Sequence, residues 1–189
     1  MENPLLRGRE LNAQQKRLYD TLLFLVRLAA LSLPVYAVIS SGFSLYPLQV
    51  AAASQSEQVL LFMGMQVSRN GAEMNADGFR FFISEDCTGW KSMLFITALV
   101  LSVPAVAWNK KLAGILAGVP VVWLANIVRI VSVVIVQKSS GLRAAMLFHD
   151  LFWQFFLAGV VLAAWVAWFL FAARPETGRA LFRKAGKLI

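Results

Sequence analysis

The sequence predicts an all-α polytopic membrane protein with about four transmembrane helices, an interfacial helix and a small extracytoplasmic β-hairpin. Hydrophobic residues make up 59% of the 189 residues, and the mean hydropathy is +0.65. Several apolar runs approach or exceed the length needed to cross about 30 Å of hydrocarbon. Most of the 18 basic residues lie near the ends of these runs. The net charge of +8 therefore indicates membrane topology rather than nucleic-acid binding.

The chain is predicted to be a single membrane-embedded domain over residues 1–189, because it contains neither an internal repeat nor a linker of biased composition. Residues 1–20 form a polar cytoplasmic tail, and residues 21–40 form the first transmembrane span. A cleaved signal peptide is the alternative for this run, but the run is long and no A-x-A cleavage site follows it. Arg27 lies about 9 Å into the span, close enough for its side chain to snorkel to the near interface.

Residues 41–91 are predicted to be extracytoplasmic or interfacial. The part from 47 to 67 has an apolar second half, but its polar residues favour an interfacial or partly re-entrant helix over a crossing one. The dipeptides Asn70-Gly71 and Asp77-Gly78 are turn formers flanked by short apolar runs. They predict a small β-hairpin or meander. We hypothesise that this polar hairpin binds an extended peptide by strand addition.

The remaining predicted elements are three transmembrane spans and a basic cytoplasmic tail, at 92–108, 112–137, 151–173 and 174–189. Asn109-Lys110-Lys111 joins the first two of these spans in a tight antiparallel turn. With four spans, eleven basic residues lie on one side of the membrane and five on the other. The positive-inside rule then places both termini in the cytoplasm and Cys87 outside.

Cys87 is the only cysteine, so no disulfide can form within the chain. It is either an inert small hydrophobic residue or a nucleophile. Polar residues surround it, and an apolar run begins at Ser92. This arrangement places the sulfur at a helix N-terminus, where the helix dipole favours a thiolate.

Arg129 and His149 are predicted to lie at the same membrane depth as Cys87. Arg129 is inside an apolar helix, where a guanidinium costs a few kcal/mol. Counted from Leu112, it lies about 26 Å along the helix, just under the outer surface. His149, the sole histidine, precedes the last span on that same side. The alternatives are a capping histidine and an arginine that reaches lipid phosphates.

This combination suits acyl transfer at a peptide carbonyl. A cysteine thiolate attacks, a histidine moves protons, and an arginine, which stays protonated, stabilises the oxyanion or holds the substrate. Asn126 lies on the same helix face as Arg129 and can orient its guanidinium or a substrate carbonyl. Asp150 is expected to point away from His149, so it is not a candidate triad acid. One Cys and one His are too few for a metal site, and neither phosphate-loop nor dinucleotide glycine spacing occurs. No cofactor is expected.

Three ordered motifs carry a resemblance to a known family. They are Asp86-Cys87-Thr88-Gly89 with Ser92, then Ala125-Asn126-Ile127-Val128-Arg129-Ile130, and then His149. Over roughly residues 60–170 the chain resembles the archaeosortase/exosortase family of membrane-embedded cysteine transpeptidases. The resemblance implies that Cys87 is the nucleophile, His149 the acid/base and Arg129 the electrostatic partner. The supporting residues would be Asn126, Ser92, Thr88 and Gly89. The implied partners are secreted proteins with a C-terminal motif, a transmembrane helix and a basic tail, and a lipid or cell-envelope acceptor.

Two other functions compete with transpeptidation. The first is an intramembrane cysteine protease that uses water as the acceptor. The second is a non-enzymatic, lipid-binding membrane subunit, in which Cys87 is inert and Arg129 pairs with lipid phosphate. Transport is the weakest alternative, because four spans with a single deep charge offer little for a polar pathway.

Overall fold

The computed structural model describes residues 13–41, 44–151 and 155–172, and these are mostly helical. The helices are α1 (Ala13–Ser40), α2 (Tyr46–Phe62), α3 (Trp90–Ser102), α4 (Trp108–Leu151) and α5 (Leu157–Ala172). The strands are β1 (Val67–Asn70), β2 (Glu73–Ala76) and β3 (Phe79–Phe82), and a 3-10 helix, Glu85–Thr88, precedes α3. Most of the predicted N-terminal tail, the predicted C-terminal tail, and residues 152–154 and 173 of the predicted last span lie outside the described residues.

Two of the described helices are long and apolar enough to cross a membrane, against the four spans predicted. They are the segments Gln14–Val38 in α1 and Trp108–Asp150 in α4. The apolar helices α3 and α5 have 13 and 16 residues. At 1.5 Å per residue they measure about 20 and 24 Å, which is less than the roughly 30 Å of the hydrocarbon core.

The sheet is an antiparallel meander of order β1-β2-β3. In the second turn Asp77 and Gly78 have φ values of 49° and 87°, and this pair of left-handed residues matches the twist of a two-residue hairpin. Gly71 opens the first turn with a φ of 62°. The predicted hairpin or meander is thus confirmed as a meander of three strands.

The turn between α3 and α4 lies upstream of its predicted position. Val103 is extended because Pro104 follows it, and this ends α3 at Ser102 instead of residue 108. The predicted turn at 109–111 is instead the first turn of α4. There Lys111 Nζ donates to the Leu101 carbonyl at 2.8 Å, and Lys110 Nζ donates to the Ala172 carbonyl at 3.2 Å. The two lysines therefore satisfy carbonyl groups at the carboxyl ends of α3 and α5.

A single residue, Gly141, reverses the direction of α4. Its φ of 82° and ψ of 175° belong to a region that is open essentially to glycine alone. It separates a long arm (residues 108–140) from a return arm (residues 142–151). In a straight helix, Arg129 and His149 would lie about 30 Å apart. Their side chains are in contact instead, so the return arm folds back along the long arm. The stretch 138–150, predicted as a connection between spans, is helical on both sides of Gly141.

The buried apolar side chains form two clusters, which share the long arm of α4 as a common wall. The first cluster joins α2, the sheet and α4, and includes Leu60, Met74, Ile83, Ile130 and Val134. The second joins α3, α4 and α5, and includes Ile96, Val100, Val122, Leu157 and Val161. Cys87 packs against the first cluster, so the sheet is attached to the surroundings of the thiol.

An ion pair ties the sheet to the C-terminal part of the long arm. Lys138 Nζ lies 2.6 Å from Asp77 Oδ2, and the Gln66 backbone N–H donates to Asp77 Oδ1 at 2.9 Å. The lysine and the backbone N–H lower the pKa of Asp77 below its ordinary value. Because a lowered carboxyl pKa stabilises the folded state only while the group is ionised, this contribution is present above the ordinary pKa and is lost as the pH falls through the folded pKa.

We expect Asp77→Asn to lower the melting temperature in detergent at pH 7, and the difference from wild type to shrink as the pH is taken below about 4. Asparagine tolerates the left-handed φ of residue 77, so the variant removes the charge without adding backbone strain. Thermal melts of both proteins from pH 7 to pH 3 measure the effect. A difference that does not change with pH would contradict this account.

Candidate active site

Asn126 and Arg129 lie one turn apart on the same face of the long arm, and both are buried. Arg129 is 1% exposed and Asn126 is fully buried. Arg129 Nη1 donates to Asn126 Oδ1 at 3.1 Å, and Asn126 Nδ2 donates to the Cys87 carbonyl at 2.8 Å. One amide therefore holds both the guanidinium and the backbone of the cysteine. The guanidinium lies inside the protein, which contradicts the alternative that it reaches lipid phosphates.

Cys87 lies in the 3-10 turn that precedes α3, rather than in α3 itself. Its Sγ is 3.9 Å from Arg129 Nη2 and accepts a hydrogen bond of 3.3 Å from Ser84 Oγ. The side chain is half-buried. The polar neighbours of the sulfur are therefore a guanidinium and a hydroxyl, not the N–H groups of the helix N-terminus that the sequence predicts.

Thr88 and Gly89 shape the turn that presents the sulfur. Thr88 is fully buried, and its hydroxyl donates to the Glu85 carbonyl at 2.7 Å, which closes the 3-10 turn. Gly89 has a φ of 73°, and a Cβ atom at this position would lie only 3.0 Å from Asn126 Cγ. The chain therefore needs glycine here for both its backbone conformation and its close approach to Asn126.

His149 reaches the site from the return arm. Its Nε2 lies 3.2 Å from Arg129 Nη2, and its Nδ1 lies 3.3 Å from Asp150 Oδ1. A guanidinium can only donate, so Nε2 is the acceptor and the proton of a neutral ring belongs on Nδ1, facing the carboxylate. The expectation that Asp150 points away from His149 is wrong. The carboxyl group of Asp150 is largely exposed, whereas the imidazole of His149 is partly buried between this carboxyl group and Arg129.

The three predicted reactive side chains share one small pocket. Its volume is about 130 Å³, and Cys87, Arg129 and His149 line it together with the end of β3 and apolar residues of the long arm. Ser92 lies elsewhere, on a separate groove of about 430 Å³ between α3 and α5. Within the described residues, no group of three or more His, Cys, Asp or Glu side chains is positioned to hold a metal ion.

Sequence reasoning missed Ser84 and set Asp150 aside, although both contact residues of the site. Ser84 stands three residues before Cys87, a spacing at which its hydroxyl reaches the sulfur once the 3-10 turn forms. The sequence analysis did not predict the 3-10 turn, and without that turn the spacing of Ser84 and Cys87 does not indicate a contact. Asp150 carries no sequence signal beyond its position next to the only histidine.

We expect Gly89→Ala to destabilise the protein by at least about 1 kcal/mol more than Gly64→Ala. Both glycines have a positive φ, so both variants pay roughly 1–2 kcal/mol for a left-handed alanine. Only residue 89 has a neighbour for the new methyl group, because nothing lies within 4 Å of a Cβ at residue 64. Denaturant unfolding in detergent compares the two variants, and equal losses would contradict a tight approach of Gly89 to Asn126.

Comparison with known protein families identifies a relationship over most of the chain. The family model described as transmembrane exosortase (Exosortase_EpsH) matches residues 8–171, a range that includes Cys87, Arg129 and His149. Comparisons with curated proteins and with solved structures return no match. With this match over most of its length, and with the apolar helices described above, the chain is a membrane protein that belongs to the transmembrane exosortase family.

Proposed function

We propose that the protein is a membrane-embedded cysteine transpeptidase, which cleaves the C-terminal sorting signal of secreted proteins and transfers them to a lipid or cell-envelope acceptor. One observation carries the proposal. Arg129 Nη2 lies 3.9 Å from the sulfur of the only cysteine and 3.2 Å from Nε2 of the only histidine. A nucleophile, a proton carrier and a fixed positive charge are thus within reach of one substrate carbonyl.

The first half of the reaction transfers the thiol proton of Cys87 to His149 Nε2, and the thiolate attacks the scissile carbonyl. The protonated Nε2 can no longer accept a hydrogen bond from Arg129, so it becomes a donor toward the leaving amine. Collapse of the tetrahedral intermediate breaks the C–N bond, the amine takes the proton from His149, and a thioester remains on Cys87.

In the second half, a nucleophilic group of the acceptor attacks the thioester carbonyl while Nε2 of His149 removes its proton. The thiolate leaves as the new acyl bond forms, and the proton returns to the sulfur. Asp150 stabilises the imidazolium from the Nδ1 side in both halves, because its carboxylate lies 3.3 Å from that nitrogen.

Arg129 stabilises negative charge, first on the sulfur and then on the oxyanion. A guanidinium stays protonated at any working pH, so it serves as a fixed charge instead of a base. Asn126 holds it through the hydrogen bond that Nη1 donates to Oδ1, and this preorganisation lowers the reorganisation needed when the oxyanion forms.

For the topology we propose four crossings, by α1, α3, the long arm of α4 and α5, with both termini in the cytoplasm. Lys111 joins the start of α4 to the end of α3 at Leu101, whereas Asn126 joins α4 to Cys87. Lys111 and Asn126 are 15 residues apart on α4, which corresponds to about 22 Å along the helix. If the lysines mark the cytoplasmic rim, the thiol lies in the outer half of the membrane, where the sorting signal of a secreted protein would arrive.

The two competing functions differ in what they release. A protease with water as acceptor gives a free carboxyl terminus on the secreted product, whereas a transpeptidase gives a product with the mass of the acceptor added. A non-enzymatic lipid-binding subunit gives no cleavage. The burial of Arg129 argues against this last function, because a lipid-binding arginine would face the lipid.

We expect Cys87→Ala to reduce cleavage of a secreted protein from the same genome, carrying a C-terminal sorting signal, by at least about 10³-fold in membranes. Arg129→Lys should reduce it by about 10²-fold, because lysine keeps the charge but cannot contact Asn126, Cys87 and His149 together. Arg143→Lys, at an exposed position of the return arm, is the matched control and should retain activity. Undiminished cleavage by Cys87→Ala would refute the nucleophile assignment.

The topology can be tested by thiol labelling, since Cys87 is the only cysteine. An impermeant maleimide should modify the wild-type protein in intact cells and should leave Cys87→Ala unmodified. In the Cys87→Ala background, a cysteine introduced at the exposed residue Asn109 should react only after the cells are permeabilised. Reaction of the residue-109 thiol in intact cells would place α4 in the opposite orientation.

A further inference from the structure

The hydrogen-bonding pattern of the sheet leaves one edge of β3 open. The Ile83 N–H donates to the Ala72 carbonyl, and Met74 is the register partner of Phe81. Residues at odd positions of β3 therefore direct their backbone groups toward β2, since hydrogen-bonded pairs alternate in an antiparallel ladder. The N–H and C=O groups of Arg80 and Phe82 point the other way, and no other described residue pairs with them.

This open edge leads directly into the pocket of the cysteine. Phe81, Phe82 and Ile83 line the same pocket as Cys87 and Arg129. Phe82 is 62% exposed, although it is a large aromatic residue. A chain that pairs with Arg80 and Phe82 would therefore reach the thiol within a few residues of leaving the strand.

The direction of β3 follows from its two attachments to α4. The turn before β3 is held to Lys138 through Asp77, and the pocket after β3 contains Arg129. These α4 residues are nine positions apart, or about 14 Å along the helix, which is close to the length of a four-residue strand at about 3.3 Å per residue. β3 thus runs alongside α4 from the level of Lys138 to the level of the thiol.

We propose that the segment on the N-terminal side of the scissile bond binds as a fourth strand along the open edge of β3, parallel to it. This inference rests on the proposed function, in which the secreted part of the substrate lies outside and its transmembrane helix continues into the membrane. A chain with that polarity passes the level of Lys138 first and the level of Cys87 second, as β3 does. Backbone groups of Arg80 and Phe82 bind the substrate main chain, so an extended conformation is required of it.

Binding of the N-terminal fragment by β3 keeps the acyl group in the site during the second half of the reaction. After the C–N bond breaks, the acyl group on Cys87 belongs to the fragment held by β3, whereas the fragment with the transmembrane helix is the one that leaves. The thioester therefore stays in place while the acceptor replaces the departed amine.

Cysteine cross-linking tests the docking without needing turnover. The enzyme used is a double variant that carries both Cys87→Ala and Arg80→Cys, so its only thiol is at residue 80. Single cysteines are scanned along the co-expressed sorting-signal protein, upstream of its cleavage site, under mild oxidation. We expect disulfide adducts at every second substrate residue, because only alternate side chains of an added strand share the sheet face of Arg80. Ser68→Cys, on the same face of β1, is the matched control and should give no adducts.

Adducts without the two-residue period, adducts through Ser68→Cys, or no adducts would overturn the strand docking. Cleavage of the same substrate by the wild-type protein is measured in parallel. Normal cleavage without adducts rejects the docking alone, whereas no cleavage by the wild type rejects the proposed function on which it rests.

Comparison of Arg80→Pro with Arg80→Ala adds a kinetic test. Proline removes the outward N–H, and alanine removes only the side chain, so the proline variant should have a KM about threefold to tenfold higher than the alanine variant. Proline is tolerated at this position because the lost N–H takes no part in the ladder with β2. Equal KM values in folded variants would overturn the role assigned to this backbone group.

Discussion

The site depends on one buried charge, the guanidinium of Arg129. A charged group that is 1% exposed in an apolar helix is stable only if its donors are satisfied from within the protein. Asn126 supplies one acceptor, and His149 supplies another from the far side of a chain reversal. The need to satisfy this cation therefore brings the imidazole and the thiol to the same place. The contacts that stabilise the buried guanidinium are therefore the same contacts on which the proposed chemistry depends.

Two glycines make that meeting possible. Gly141 lets α4 fold back, so that His149 returns to the level of Arg129 instead of lying about 30 Å beyond it. Gly89 turns the chain between the 3-10 helix and α3 and lets Asn126 hold the carbonyl of Cys87. Each has a backbone conformation that residues with a Cβ rarely adopt, so the site is assembled by local backbone geometry as much as by side-chain packing.

The sequence was sufficient to predict the membrane class, the small sheet and the proximity of Cys87, Arg129 and His149. Cys87, Arg129 and His149 could be identified because each is the only residue of its kind or stands alone in an apolar run. The reversal of α4 at Gly141 could not be predicted, since a lone glycine in a polar stretch is equally typical of a loop. The α3–α4 turn was placed too late in the chain because the prediction followed the three polar residues at 109–111, whereas Pro104 ends α3 at Ser102. Lys110 and Lys111 instead lie in a helix, where they bind carbonyl groups of other helices.

The most direct test of this account is mass spectrometry of the wild-type protein quenched in acid during turnover of a sorting-signal substrate. A thioester on Cys87 is expected, with the mass of the fragment N-terminal to the cut, and hydroxylamine should remove it because thioesters are labile to that nucleophile. Substitution of His149 by alanine should reduce the adduct, because the amine then leaves without a proton donor. Continued cleavage with an unmodified Cys87 at every time point would contradict the account.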